Sequence, residues 1–248
     1  NIIFGTTFGY IDAMAEMAEE YPDVIFLHCS GYLNNDTNFA NYFGKMYQPR
    51  YLSGLAAGAM TDSNKIGYVA AFPIPEVIRG INAFAAGVNE VNPNATVEVV
   101  WTFTWFGPEA ETQAANALLE KGADVLAQHQ DSTATGLAAE AAGAKWISYN
   151  TAYGQDSAPE AFVTAPVWDW GPYYVDIVES IIDGTFTTEN YWGGMETGLV
   201  SLYDLSSDVP SDTATLIAEK TEAIIDGSLE VEIVEEEFIS NVIGTVNP

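Results

Sequence analysis

The chain has 248 residues, enough for one large domain or two small ones around a substantial core. Seven Lys and Arg stand against 35 Asp and Glu, a formal net charge of −28, and a surface so negative repels phosphate backbones and anionic lipid heads, which excludes nucleic acid as a partner. The acids are spread through the chain apart from the short run 235–237, as a solvated coat suited to a salty source, where screening lowers the self-repulsion.

In chain order, Ile2–Phe4 and Val24–His28 read as strands around the helix Ile11–Glu20, which Tyr21-Pro22-Asp23 stops. The single cysteine, Cys29, lies in the apolar VIFLHCSG, where it reads as a small buried hydrophobe, and no intramolecular disulfide is possible. Tyr47–Met60 reads as a helix whose Gly54, Ala56, Ala57, Gly58 and Ala59 allow close packing on a sheet, and the polar Thr61–Lys65 reads as a crossing between lobes. A regular alternation follows: strand Ile66–Ala71, helix Glu76–Asn89 with Val77, Ile81, Phe84 and Val88 on one face, strand Thr96–Trp101, helix 109–121, strand Asp124–His129, helix Ser132–Ala142, strand Lys145–Tyr149 and strand Phe162–Val167. Strands of this buried, β-branched kind joined by right-handed helical crossovers predict a parallel sheet. Gly171–Asp183 reads as an amphipathic helix after a second crossing at 168–171, Leu199–Tyr203 as a short strand, and Ser211–Asp226 as a helix capped by Ser211 and closed by Gly227. No apolar run approaches the ~20 residues that span a bilayer.

In such sheets ligands sit beyond the carboxyl ends of the strands. Phe72, Trp105 and Phe106 follow strand ends, and the alternation of WTFTW puts residues 101, 103 and 105 on one side, as WDW does for Trp168 and Trp170. Aromatic faces of this kind offer large contact area with few torsions to freeze, to purines and to sugars alike. Polar groups stand at matching ends: His129, Gln130, Asp131 and Ser132 after one strand, and Asn150, Thr151 and Tyr153 after the next. Asp131 either accepts from a ligand or caps the helix beginning at Ser132. Glu76 and Arg79, one turn apart, read as a structural pair. The turn Gly5-Thr6-Thr7-Phe8-Gly9-Tyr10 lies between strand and helix but is no phosphate loop, since neither GxGxxG nor GxxxxGK[ST] occurs. His28 and His129 have no companions at metal-ligand spacing, and no GxSxG elbow or Cys/His arrangement appears, so the reading is of a non-enzyme without cofactor or metal.

Four separated blocks, GYVAAFPIPEVIRGINAF, WTFTWFGPEAE, GADVLAQHQDS and TAPVWDWGPYY, resemble the basic membrane protein (BMP, PnrA-like) family of substrate-binding lipoproteins of ABC importers, over about residues 1–227. The resemblance implies a type I periplasmic-binding-protein fold: two α/β lobes with parallel sheets and a hinge. Lobe I would comprise 1–65 plus about 169–205 and lobe II 66–168, with 206–248 a closing helix and tail of open assignment. The family places a strand, helix, strand and helix ahead of the first block, so lobe I is expected to lack its N-terminal βαβα part. Also implied is a purine nucleoside or purine base held in the interlobe cleft for delivery to an ABC permease, outside the cytoplasm, with the membrane met only through a lipid anchor beyond this chain. Phe8, Gly9 and Tyr10 would form a flat wall against the ligand ring, core packing of Phe8 being the alternative. Phe72, Trp105, Phe106, Asp131, Asn150 and Trp168 complete the candidate ligand contacts. The family usually carries Asp where this chain has Asn150, a departure that weakens a ribose contact there. The competing readings are a sugar or other small-solute receptor and a nucleoside-processing enzyme.

Overall fold

The computed structural model describes residues 1–235, 238 and 243–246. In chain order its elements are β1 (Ile2–Gly5), a 3-10 turn (Phe8–Tyr10), α1 (Ile11–Glu20), β2 (Ile25–Cys29), β3 (Phe39–Gly44), α2 (Tyr47–Met60), β4 (Lys65–Ala70), α3 (Pro75–Val91), β5 (Thr96–Trp101), α4 (Pro108–Glu120), β6 (Val125–His129), α5 (Ala134–Ala142), β7 (Lys145–Ile147), α6 (Gly154–Ser157), β8 (Phe162–Thr164), β9 (Pro166–Trp168), α7 (Gly171–Ile182), β10 (Tyr191–Gly193), a second 3-10 turn (Met195–Thr197), β11 (Val200–Leu202), α8 (Ser211–Ile225) and β12 (Ile243–Val246). They form two compact units: unit 1 is Asn1–Lys45 with Asp169–Leu199, and unit 2 is Met46–Trp168 with Val200–Pro248.

Unit 1 is built on a parallel sheet in the order β1-β2-β3-β10. On α1 the residues Ile11, Met14 and Ala18 recur at helical spacing and are buried, and Met14 and Ala18 pack with Phe26 and Phe39. Tyr42 gathers a separate aromatic cluster: its ring stacks on Tyr173 of α7 at 4.9 Å, and its hydroxyl lies 3.2 Å from that of Tyr174. Burial, followed by the bond to Tyr174, raises the Tyr42 phenol far above its ordinary pKa.

Unit 2 holds a six-stranded parallel sheet in the order β12-β5-β4-β6-β7-β8, with β9 and β11 as a separate antiparallel pair. Its core gathers Val69, Val100, Ala115, Leu118, Leu126, Trp146 and Phe162, all buried. The helix α2 is buried along nearly its whole length because it lies on α3: a Cβ added to Gly54 would come within 2.0 Å of the Phe84 carbonyl oxygen, and one on Gly87 within 2.1 Å of the Tyr51 carbonyl oxygen. Only a residue without a Cβ permits backbones to approach so closely.

This contact corrects the expected lobe boundary. The small residues of Tyr47–Met60 serve a helix-on-helix contact within unit 2, so the division falls between Lys45 and Met46 instead of at 62–65. Residues 200–205 also belong to unit 2, because Val200–Leu202 pairs with Pro166–Trp168, and α8 goes with them. The chain therefore passes between units three times, at 45/46, 168/169 and 199/200, where two crossings were expected. At the start of α8 the cap position is Pro210, with Ser211 inside the first turn, while Gly227 takes the expected left-handed conformation at φ +79°. Cys29 ends β2 and is partly exposed, not fully buried.

Candidate functional site

The carboxyl ends of β4, β5, β6 and β7 lie side by side in the sheet of unit 2, so the loops after them share one edge. Phe72 follows β4, and its ring is 5.2 Å from that of Trp105 in the loop after β5. Trp105 in turn lies 6.1 Å from the His129 ring, which is 4.5 Å from that of Tyr149. Beneath Tyr149 sits Arg50 of α2, wholly buried, its guanidinium carbon 4.0 Å from the ring centre and its Nη1 donating to the Gln128 carbonyl at 2.7 Å. Arg50 Nε and Nη2 find no hydrogen-bond partner among the described residues.

His129 Nε2 faces Glu76 Oε1 at 3.6 Å, and its buried Nδ1 has no hydrogen-bond partner among the described residues. Burial holds this imidazole below its ordinary pKa, with Glu76 pulling the other way and Arg50 adding to the depression, so the ring is neutral at pH 7. With the ring proton on the nitrogen facing the carboxylate, Nδ1 is a lone-pair acceptor. Gln130 Nε2 donates to the Thr102 hydroxyl, whose own proton goes to a backbone carbonyl; the amide orientation is thereby set, and Gln130 Oε1 is left as a second buried acceptor without a partner among the described residues. The loop is held from below by Gln128, whose amide donates to the Gln130 and Ser132 carbonyls and whose oxygen accepts from the fully buried Trp146 indole.

A third line of contacts runs through Asn150. Trp168 Nε1 donates to Asn150 Oδ1 at 3.2 Å, and Asn150 Nδ2 donates to Asp131 Oδ1 at 2.9 Å. Desolvation raises the Asp131 carboxyl above its ordinary pKa; the Asn150 bond opposes this, while Glu111 and Glu76 reinforce it. The resulting surface has flat rings beside acceptor atoms, as fits an uncharged solute carrying N–H or O–H groups.

Of the residues singled out in the sequence, Phe72, Trp105, Asp131, Asn150 and Trp168 thus fall within one unit, on loops or strands that bond or pack together. Phe106 is 65% exposed, and no ring partner among the described residues holds it. Phe8, Gly9 and Tyr10 belong to unit 1, where they form the 3-10 turn after β1; Phe8 is partly buried, Gly9 exposed and Tyr10 54% exposed. The His28 ring lies beside that turn, its Nε2 2.9 Å from the Thr7 carbonyl oxygen.

Other expectations are corrected. The alternation through WTFTW breaks because β5 ends at Trp101 and Phe103 takes φ +54°, while Trp101 stacks on Phe238. Trp168 and Trp170 part company: Trp168 ends β9 in unit 2, and Trp170 turns into α7 and packs against Tyr42 in unit 1. Asp131 does not cap the following helix, which begins at Ala134 instead of Ser132, and its side chain is bonded to Asn150. In place of the expected Glu76–Arg79 pair, Glu76 faces His129, and Arg79 pairs with Glu235 at 2.8 Å. Arg50 and Tyr149 were not read as part of the site. The signal for Arg50 was an arginine set among the small apolar residues of a helix, where a charge is costly unless it has work elsewhere. Among the described residues no three His, Cys, Asp or Glu side chains converge as a metal site would require.

Residues 1–234 match the family model described as ABC transporter substrate-binding protein PnrA-like. A protein of Haloferax volcanii named as an ABC transporter glucose-binding protein is 46% identical over 231 residues, 93% of this chain and 59% of the relative. A purine-binding protein of Brucella abortus is 41% identical over 229 residues, 90% of this chain and 63% of the relative. The chain therefore spans about three fifths of the length of these curated relatives. Among solved structures, an ABC transporter solute-binding protein of Aeropyrum pernix superposes with TM-score 0.81 at 16% identity, covering 95% of this chain and 78% of that one. Another, from Conexibacter woesei, gives 0.73 at 24% identity, covering 94% and 79%. The fold is accordingly the type I periplasmic-binding-protein fold, and the family is one of binding proteins, not enzymes. With the model matching almost the whole chain, the protein belongs to the PnrA-like family of ABC transporter substrate-binding proteins.

Proposed function

We propose that the protein is the extracytoplasmic receptor of an ABC importer and that its solute is a purine nucleoside or purine base handed to the permease. The observation that carries this reading is the strand-end region of unit 2, where Phe72 and Trp105 pack beside His129, and where the buried His129 Nδ1 and Gln130 Oε1 and the exposed Asp131 Oδ2 have no hydrogen-bond partner among the described residues. A planar heterocycle has two π faces for such rings, with stacking worth ~1–3 kcal/mol per base, and edge N–H groups for the acceptors. The Brucella abortus relative supports the purine class. Phe8, Gly9 and Tyr10 are the contacts proposed from unit 1, and Phe106 a further aromatic from unit 2. No described helix is long and apolar enough to cross a membrane, and attachment through a lipid belongs to the same proposal.

A sugar receptor is the second reading, favoured by the name of the Haloferax volcanii relative and by the hydroxyl donors of a hexose, which suit the same acceptors. Isothermal titration with adenine, adenosine, guanosine, inosine, ribose and glucose separates the two. Purine heat with none from glucose is expected; glucose or ribose heat without any from the purines rejects the purine reading. Free adenine released from adenosine would instead indicate an enzyme.

A further inference from the structure

We propose that Asn150 is a positioning residue and not a ligand contact: its amide bridges the Trp168 indole and the Asp131 carboxylate, leaving Asp131 Oδ2 as the atom that accepts from the solute. This deepens the receptor reading and rests on it for the identity of the probe.

The bridge has one possible polarity. An indole nitrogen can only donate, so the Asn150 oxygen must face Trp168, and the Asn150 nitrogen must then face Asp131. One N–H of its Nδ2 and one lone pair of its Oδ1 are thereby committed to protein partners. The backbone is equally fixed: Asn150 N–H donates to the Pro166 carbonyl, its own carbonyl accepts from Trp168 N–H, and the residue bridges Val167 in parallel pairing. Its φ of +70° is left-handed, a conformation that Asn and Asp tolerate better than other side chains with a Cβ. Asp131 is anchored from its own side, its N–H donating to the Trp105 carbonyl. Three predicted contacts, Trp105, Asp131 and Trp168, are thus set relative to one another through position 150. Among the described residues Asp131 Oδ2 has no hydrogen-bond partner, and Asp131 is exposed.

The charged groups that act on Asp131 are acids on separate elements, Glu111 of α4 and Glu76 of α3, and the Tyr149 phenol, held far above its ordinary pKa by burial, also lies within its field. The Glu111 carboxylate is engaged, accepting from Gly107 N–H and Ser132 Oγ–H, and Glu76 faces His129. In that acidic setting the Asn150 donor favours the ionised form of Asp131. N150D keeps an oxygen for Trp168 and the left-handed backbone but brings a second carboxylate to hydrogen-bond distance of the first. Two carboxylates so close resist ionising together, and the pair retains a proton well above the ordinary carboxylate range.

The decisive measurement is a carboxyl-carbon NMR titration of the ligand-free protein and of N150D, paired with adenosine titrations at pH 6, 7 and 8. In N150D a carboxyl group should titrate above any in the parent. Adenosine affinity should fall about ten- to hundredfold at pH 8, where the second ionisation sets the two carboxylates against each other and displaces Asp131, and recover toward pH 6, where the shared proton again gives Asp131 a donor, while the parent varies little. The exchanged double variant N150D/D131N restores a donor facing an acceptor and should abolish the pH dependence. A merely structural role for Asn150 would lower affinity equally at every pH and in the double variant alike, which overturns the proposal. An N150D variant with unaltered carboxyl titration overturns it also. Should the parent bind no adenosine, the purine reading fails, while the ligand-free NMR titration still decides whether Asn150 sets the Asp131 charge.

Discussion

The two units use the same parallel α/β construction, yet they are held by different interactions. Unit 2 buries a continuous apolar core around Leu118, Leu126 and Trp146 and locks α2 to α3 through glycines. Unit 1 relies on a small cluster under α1 and on the rings gathered around Tyr42, while Ile3, Met17, Tyr21, Val175, Val178 and Ile182 stay exposed. It also carries twelve acids against a single base, Lys45, which pairs with Glu196 at 2.7 Å. Area-driven burial dominates in unit 2, and unit 1 keeps less of it to set against charge repulsion. The lesson is that the unit bearing the candidate strand-end surface is the better-packed one, which suits a site needing fixed donors and acceptors.

Removing packing from unit 2 gives the largest expected effect. Leu118 is wholly buried between α4 and the sheet, so Leu118→Ala should cost ~2–5 kcal/mol, measured by urea unfolding. Met14→Ala on α1, at 7% exposure beside a smaller cluster, should cost less. Equal costs would break the contrast between the units.

Acid should act next, and through unit 2. Burial depresses the His129 pKa in the folded chain, so below about pH 6.5 the unfolded chain binds a proton that the folded one refuses. Stability therefore falls as pH drops from 7 toward 5, above the range where most carboxylates titrate. The slope should be shallower in His129→Gln; an unchanged slope would show that the imidazole is not the group responsible.

Much of this contrast could be read in the sequence, but unevenly. The strands and helices from Ile66 to Tyr149 were legible because buried β-branched runs alternate with long amphipathic helices, and the observed bounds differ by few residues. β3 escaped because FANYFG follows an asparagine-rich loop and mixes polar with aromatic side chains; its Asn41 is buried and hydrogen-bonded, which composition does not reveal. β10 escaped through its length of three residues. At the strand ends, residue type marked Trp105, Asp131, Asn150 and Trp168, but the direction of each bond was not legible, because Asn150 acts through an indole eighteen positions later. The unit assignment of α2 was misread for a related reason: small residues announce close packing without saying whether a sheet or a helix is the partner.

Salt should sharpen the comparison with a smaller effect. Among the described residues five Lys and Arg pair with carboxylates, so with 35 acids in the chain most of the negative charge has no basic partner there. Added sodium chloride screens the resulting repulsion and should raise the melting temperature. Hydrogen exchange followed at low and high salt should show the greater gain in protection in β1 and α1 of unit 1. A gain confined to unit 2, or a melting temperature that salt leaves unchanged, would contradict the charge argument.

The smallest effect is expected on the outer face of α7. Ile182 is 77% exposed, and it shares with Val175 and Val178 a stripe of apolar side chains on the solvent side of the helix. In the isolated protein such a side chain has little burial to lose, so Ile182→Lys should change stability by no more than about 0.5 kcal/mol in urea unfolding. Two small favourable terms accompany it: a lysine in the last turn complements the helix dipole, and it adds a positive charge to the unit that has one base among twelve acids. Both fade as salt rises, so a slight gain at low ionic strength that disappears at high ionic strength is the specific expectation. A loss above about 1 kcal/mol would mean that Ile182 is covered in solution, and its dependence on protein concentration would then tell a second copy of the chain from packing within one.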